Sequence, residues 1–266
     1  MRFARRAVYS VIRRFPAAVR RVFLQHEISD CREQIPRRFQ QEFGNIVQSG
    51  PFKGMEILPE FSWADGDRLP KLLGSYESEL HQWISQIPTR HYDTILDIGC
   101  AEGYYAVGLA RATPSTTQIL GYDINPDARR LCAQAAKKNS VADRVKVFGR
   151  CSSESLEETL LHAGRSFALF DCEGAELELL RPDLVPKLQD TDILIECHDF
   201  VDRSITDTLY RRLSPTHLIE RVDEGPRDPN QFPYLKGLSG MERSIAVCEF
   251  RPEMMHWLLC TSNARR

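Results

Sequence analysis

The strongest constraint on the fold is an alternation that begins at residue 93. Apolar runs too short for helices, at 94–98, 118–123, 145–148, 167–171 and 193–197, are each followed by residues with apolar side chains at helical spacing. The helical stretches fall at 103–112, at 126–139, after Ser153, at 175–180 with a further turn near Val185, and at 203–213. Five strand–helix units in series call for parallel strands joined by right-handed crossovers, an α/β doubly wound sheet covered on both faces. Two more strands are expected at 217–222 and 245–250. Between them, Asp223 to Gly240 carries three prolines, three glycines, Phe232 and Tyr234, and reads as a lid, an acceptor-binding element or a plain surface loop. Upstream, LPKLLGSYESELHQWISQI at 69–87, with Leu80, Trp83, Ile84 and Ile87 at helical spacing, predicts a helix leading into the first strand. Composition shifts near Leu69, so residues 1–68 read as an N-terminal helical appendage and 69–266 as the main domain.

Charge is unevenly spread. Residues 1–26 hold seven arginines, no lysine and no acid, whereas the remaining chain carries an excess of nine negative charges. A protein-wide nucleic-acid surface is therefore not expected. Within the basic segment apolar residues recur every four positions, which predicts an amphipathic helix interrupted at Pro16. Three readings stand for it: it lies on an anionic membrane as a peripheral contact, it is a transit peptide, or it packs on the body with its arginines in water. No run of eighteen apolar residues exists, and the eight cysteines form no C-x-x-C pair. Scattered through expected strands and helices, they suggest reduced thiols and a cytoplasmic setting.

The first strand–helix junction, Asp97-Ile-Gly99-Cys100-Ala101-Glu102-Gly103, is a sharp turn that brings backbone close to a ligand. It lacks the middle glycine of G-x-G-x-x-G, and residues 91–110 contain no lysine or arginine, while Asp97 and Glu102 flank the turn. Phosphate is disfavoured there and a cation favoured. Asp123, 26 residues after Asp97, ends the second strand where a carboxylate accepts hydrogen bonds from ribose hydroxyls. A ribose with positive charge and no phosphate describes S-adenosylmethionine.

These residues resemble the first two motifs of the class I S-adenosylmethionine-dependent methyltransferases, whose fold is Rossmann-like. FALFDCEGAELELL at 167–180 resembles the D-x-E-G-x-E motif of the FkbM-like group, as do DILIECHDF and GSYESEL; the chain departs from the group's G-A-N-x-G at 99–103. The resemblance implies that Asp97 lies near the methionine end of the cofactor, that Gly99, Cys100, Ala101 and Gly103 form its turn, and that Asp123 and Ile124 meet the nucleoside. It further implies that Ser152 touches adenine, that Tyr76 and Glu77 border the site, and that the acceptor is a saccharide, glycolipid or natural-product hydroxyl.

A hydroxyl acceptor requires proton removal. Asp171 and Glu173 follow the fourth strand; Glu196, His198 and Asp199 follow the fifth. His198 is the expected general base, with Asp171 and Glu173 beside it. Glu173 has a second reading, as a cap of the next helix. The expected site is metal-free; the alternative has Asp171 chelate a divalent ion such as magnesium with Glu196, His198 or Asp199. Rival functions are an NAD(P)-dependent oxidoreductase and a non-catalytic binding module of the same fold. Oligomeric state is not legible.

Overall fold

The computed structural model describes residues 15–60 and 67–265, so most of the basic segment, residues 1–14, lies outside the described residues. The chain forms two compact units, one of Met1–Gly44 with Arg227–Cys248, the other of Asn45–Pro226 with Glu249–Arg266.

The larger unit is built on a seven-stranded sheet of order β3-β2-β1-β4-β5-β7-β6. The strands are β1 (Thr94–Ile98), β2 (Gln118–Tyr122), β3 (Val145–Phe148), β4 (Ser166–Phe170), β5 (Asp192–Glu196), β6 (His217–Asp223) and β7 (His256–Ser262). β1 to β5 pair in parallel, and β7 enters antiparallel between β5 and β6. The central strands are buried on both faces, hence their unbroken apolar runs; β6, at an edge, leaves Glu220, Arg221 and Asp223 exposed, and their charges discourage edge pairing. Phe167, Phe170, Leu96, Ile193 and Leu258 form the buried heart of the sheet, each contributing about 1.5–3 kcal/mol of transfer free energy.

The seventh strand is not where the sequence suggested. Residues 245–250 follow a helix start that the apolar run concealed: Ser239 Oγ accepts from the Glu242 N–H and Glu242 Oε2 accepts from the Ser239 N–H at 2.8 Å. This capping box opens a helix at Gly240–Ala246, and the strand comes after Pro252 instead. The helix expected before β1 is likewise broken into Arg68–Leu73, His81–Ile84 and short 3₁₀ turns. Gly74 at φ 78° and Glu77 at φ 45° interrupt it, and a Cβ on Gly74 would lie 2.0 Å from the Ser49 carbonyl oxygen.

Numbering the helices along the chain gives α1 (Ala17–Phe43), α2 (Arg68–Leu73), α3 (His81–Ile84), α4 (Tyr104–Ala112), α5 (Pro126–Lys138), α6 (Ser153–His162), α7 (Glu176–Leu179), α8 (Ile205–Leu213) and α9 (Gly240–Ala246). The boundary expected at residue 69 falls inside the larger unit. Residues 45–57 are bound into it through Val47 N–H to the Met55 carbonyl, Gln48 N–H to the Leu72 carbonyl, and Phe52 packed over Gly108 of α4. In the smaller unit α1 buries Ile35, Pro36 and Phe39, and Tyr234 meets the rings of Phe39 and Phe43 edge-on at 6.0 and 4.8 Å. The 223–240 stretch is thus not structureless: it carries two 3₁₀ turns, and Tyr234 packs on other aromatics.

At the carboxyl edge, Gly99 lets the β1 turn meet the tip of β4. At φ 94°, a Cβ there would stand 1.6 Å from the Asp171 carbonyl oxygen. Gly99→Ala is expected to lower stability by roughly 3 kcal/mol or more, read from the urea midpoint; a loss below 1 kcal/mol contradicts the close approach.

Candidate active site

Asp97, Asp123, Asp171 and Glu196 stand on one rim, at or just past the ends of β1, β2, β4 and β5. Strand direction alone places them, because parallel strands share their carboxyl edge.

Around the glycine turn, Asp123 is a tie. Its Oδ2 accepts the Ala101 N–H at 2.9 Å and its Oδ1 accepts the Asn125 N–H at 2.8 Å. Ala101 itself sits at φ 45°. The backbone donor that a dinucleotide loop would offer to pyrophosphate is therefore already used. Cys100 is buried behind the turn against Gly121, and Ile124 is largely exposed beyond Asp123. Below, Asp97 is buried with its Oδ2 unpartnered. Burial pushes its carboxyl up to about 7, reinforced by Asp123 and Glu77 and moderated by a hydrogen bond from the Ala106 N–H.

The expectation of a turn free of basic groups needs correction. Lys71 of α2 reaches Glu102 at 2.7 Å and Asp67 at 2.7 Å. Burial opposes its charge, but the two carboxylates hold the ammonium above its ordinary value. Glu102 is thus neutralised by a residue outside the turn's own sequence, and Asp97 and Asp123 carry the remaining acidity.

Tyr76 and Glu77 border the turn. Tyr76 lies edge-on to Tyr104 at 5.3 Å, and the Lys71 ammonium sits 4.9 Å from its ring centre. Glu77 is buried and receives the Tyr105 hydroxyl on Oε2 and Arg251 on Oε1 at 2.7 Å. Ser152 is the N-cap of α6, its Oγ accepting the Ser155 N–H at 3.2 Å while its own N–H donates to Ser155 Oγ. That capping bond accounts for a serine at this position.

At the tips of β4 and β5, His198 is buried with its Nδ1 2.8 Å from Glu176 Oε1. Its Nε2 lies 3.5 Å from Asp171 Oδ1 and 3.6 Å from Glu173 Oε2, close enough for attraction but too far for hydrogen bonds. Glu173, at φ 54°, is half exposed. Although burial disfavours imidazolium, the Glu176 hydrogen bond and nearby carboxylates raise the His198 pKa. His198 therefore holds its proton to higher pH than a free histidine. Glu176, inside the 167–180 motif but given no role there, orients the ring.

Arg251, missed altogether, ties the site together. Its guanidinium meets Glu77 Oε1 at 2.7 Å, Glu249 Oε2 at 3.0 Å and Glu196 Oε1, and stacks 5.1 Å from the Trp257 ring centre. Even so, burial first, then Asp171 and Glu77, raises the Glu196 carboxyl well above the usual range. Asp171 is raised by the same causes, burial first and Glu77 next.

Ligand atoms of Asp171, Glu196 and His198 lie within 4.8 Å of one another, the spacing of a metal site. The donor set fits a divalent ion poorly, because Arg251 already occupies Glu196 and the raised pKa of His198 makes an ion compete with a proton there. Asp199 is drawn elsewhere, to the N–H and hydroxyl of Thr206 at 3.0 and 2.8 Å.

Arg251→Met leaves Glu77 and Glu196 buried without their cation and is expected to cost roughly 3–5 kcal/mol in urea unfolding. Arg251→Lys should recover part of that; an unchanged midpoint in both would show the ion pairs idle.

With this geometry in hand, comparison with known proteins is informative. Residues 87–173 match the model of a family described as O-methyltransferase. Over 59 residues the chain is 34% identical to the tRNA1(Val) (adenine(37)-N6)-methyltransferase of Actinobacillus pleuropneumoniae, covering 22% of this chain and 25% of that protein. The chain thus spans about a quarter of the length of that relative. Among solved structures it is similar to the O-methyltransferase TomG of Streptomyces achromogenes, involved in tomaymycin synthesis and solved with S-adenosylmethionine, at TM-score 0.48, 15% identity, 73% of this chain and 83% of that one. It is also similar to an O-methyltransferase of Bacillus cereus solved with S-adenosylhomocysteine, at TM-score 0.48, 13% identity, 70% of this chain and 81% of that one. The family match bears most directly on the site, because Asp97, the glycine turn, Asp123 and Asp171 all lie within its bounds.

Proposed function

We propose that the chain transfers the methyl group of S-adenosylmethionine to an oxygen of a small-molecule acceptor. The observation that carries this reading is the turn itself: its Ala101 N–H is taken by Asp123, while Asp97 Oδ2 beneath it is buried and unpartnered. A site that withholds a backbone donor from phosphate and offers an unmatched carboxylate suits a cationic nucleoside. The residues fit the cofactor on that ground. Gly99, Cys100, Ala101 and Gly103 would line its path, Asp97 would face its ammonium group, and Asp123 retains lone pairs for ribose hydroxyls.

When bound, S-adenosylmethionine supplies an electrophilic methyl on sulfonium. The chain's task is then to orient the acceptor hydroxyl and remove its proton. His198 Nε2, once deprotonated, accepts that proton, and Glu176 on Nδ1 fixes the ring and stabilises the imidazolium. Asp171 and Glu173 flank Nε2 and favour the same charged product. The Asp171-x-Glu173-Gly174-x-Glu176 segment supports an FkbM-type assignment, with a saccharide, glycolipid or natural-product hydroxyl as acceptor. All eight cysteines are free thiols, which fits a reducing, cytoplasmic setting. Among the described residues no helix is long and apolar enough to cross a membrane.

Two outcomes follow. Asp97, with its carboxyl near 7, must ionise to pair with an ammonium, so S-adenosylhomocysteine should bind more tightly as pH rises from about 6 to 7.5 with proton release, and Asp97→Asn should bind weakly with no such slope. Flat calorimetric titrations of the wild type across that range would remove Asp97 from the ligand's environment. In turnover, the alkaline rise should report His198 above its ordinary pKa, and Glu176→Gln should move that rise to lower pH while reducing the maximum roughly 10²-fold. A profile unmoved by Glu176→Gln would exclude His198 as the base.

A further inference from the structure

The two halves of α1 differ in what they cover. Toward its C-terminus Ile35, Pro36 and Phe39 are buried, and Phe39 and Phe43 meet Tyr234. Toward its N-terminus the apolar side chains are bare: Phe15, Val19, Val22 and Phe23 are 43, 37, 64 and 42% exposed. The spacing of Val19, Val22 and Phe23 sets them on one side of the helix; Phe15 precedes it with its ring 6.2 Å from that of Phe23, and Leu24, also exposed, falls on the opposite side between Arg20 and Arg21. Arg20 and Arg21 occupy the two flanks away from this stripe. Five further arginines precede them, and the first acid of the chain is Glu27.

Among the described residues the stripe is exposed together with its arginines. We propose that residues 15–26 dock on an anionic lipid surface. Such a surface satisfies both parts together: headgroup charge meets the flanking guanidinium groups, and the acyl boundary takes the phenylalanine and valine side chains. A second copy of the same segment would cover the apolar stripe without calling on Arg20 and Arg21, which lie away from it. A nucleic-acid backbone would match the arginines and leave the apolar stripe in water. The buried C-terminal half supplies the anchorage, so the stripe is presented by a helix that its own unit holds in place.

The test is co-sedimentation of the full chain with vesicles of phosphatidylcholine alone and of phosphatidylcholine with roughly a third phosphatidylglycerol. The wild type should sediment with the anionic vesicles and stay in solution with the neutral ones, and 0.5 M salt should weaken the partition because guanidinium–headgroup attraction is screened over about 10 Å or less. Val22→Asp with Phe23→Asp, and separately Arg20→Glu with Arg21→Glu, should each reduce the partition by about tenfold or more. These positions are exposed, so circular dichroism and S-adenosylhomocysteine affinity should be unchanged in both variants. A wild type that stays in solution with anionic vesicles, or binds both kinds equally, overturns the proposal. So does light scattering that shows a dimer abolished by the aspartate variant, since the stripe would then belong to a second copy. Loss of vesicle binding leaves the methyl-transfer reading untouched, because cofactor affinity is measured in the same samples.

Discussion

Six carboxylates, those of Glu77, Asp97, Asp171, Glu176, Glu196 and Glu249, converge near the tips of β1, β4 and β5, and one guanidinium, that of Arg251, holds three of them. Burying so much negative charge is unfavourable unless it is paired, protonated or awaiting a positive ligand. The structure uses all three solutions. Arg251 pairs Glu77, Glu196 and Glu249; burial keeps Asp171 and Glu196 inclined to hold protons; and Asp97 is left with an oxygen that nothing in the described chain satisfies. The chemistry read from the site follows from that imbalance.

The same economy shapes the backbone. Gly99 lets the β1 turn lie against the Asp171 carbonyl, so the segment bordering the proposed cofactor and the residue flanking His198 are joined by van der Waals contact. Asp123 closes the turn by taking the Ala101 N–H. A displacement at either point moves both halves of the site, because strand tips packed this closely have little freedom to adjust separately.

Much of this was legible in the sequence, and the rest was hidden for physical reasons. β1 and β3 fall at the residues their apolar runs indicate, and the rim of Asp97, Asp123, Asp171 and Glu196 follows from parallel strand order. β7 was misplaced because Ile245, Ala246 and Val247 form an apolar run with two β-branched members, while the deciding signal, the Ser239–Glu242 capping box, is local and easily outweighed. The helix expected before β1 failed at Gly74 and Glu77, where left-handed backbone is fixed by contact with Ser49 and by the Glu249 and Arg251 partners. Arg251 and Lys71 escaped notice because ion pairing ignores chain distance: Arg251 meets Glu77 across 174 residues, and Lys71 meets Glu102 across 31. Glu176 was within reach, since it lies in the quoted motif with an acid three residues before it, but nothing in spacing alone says which ring it will face.

The central claim is that the turn after β1 is built for a cationic nucleoside and closed to pyrophosphate. Calorimetry of the intact chain against S-adenosylhomocysteine and against NADH tests it most directly. The account predicts binding of the first in the micromolar range, about 8 kcal/mol, and no measurable heat from the second. Tight NADH binding with no response to S-adenosylhomocysteine would contradict it.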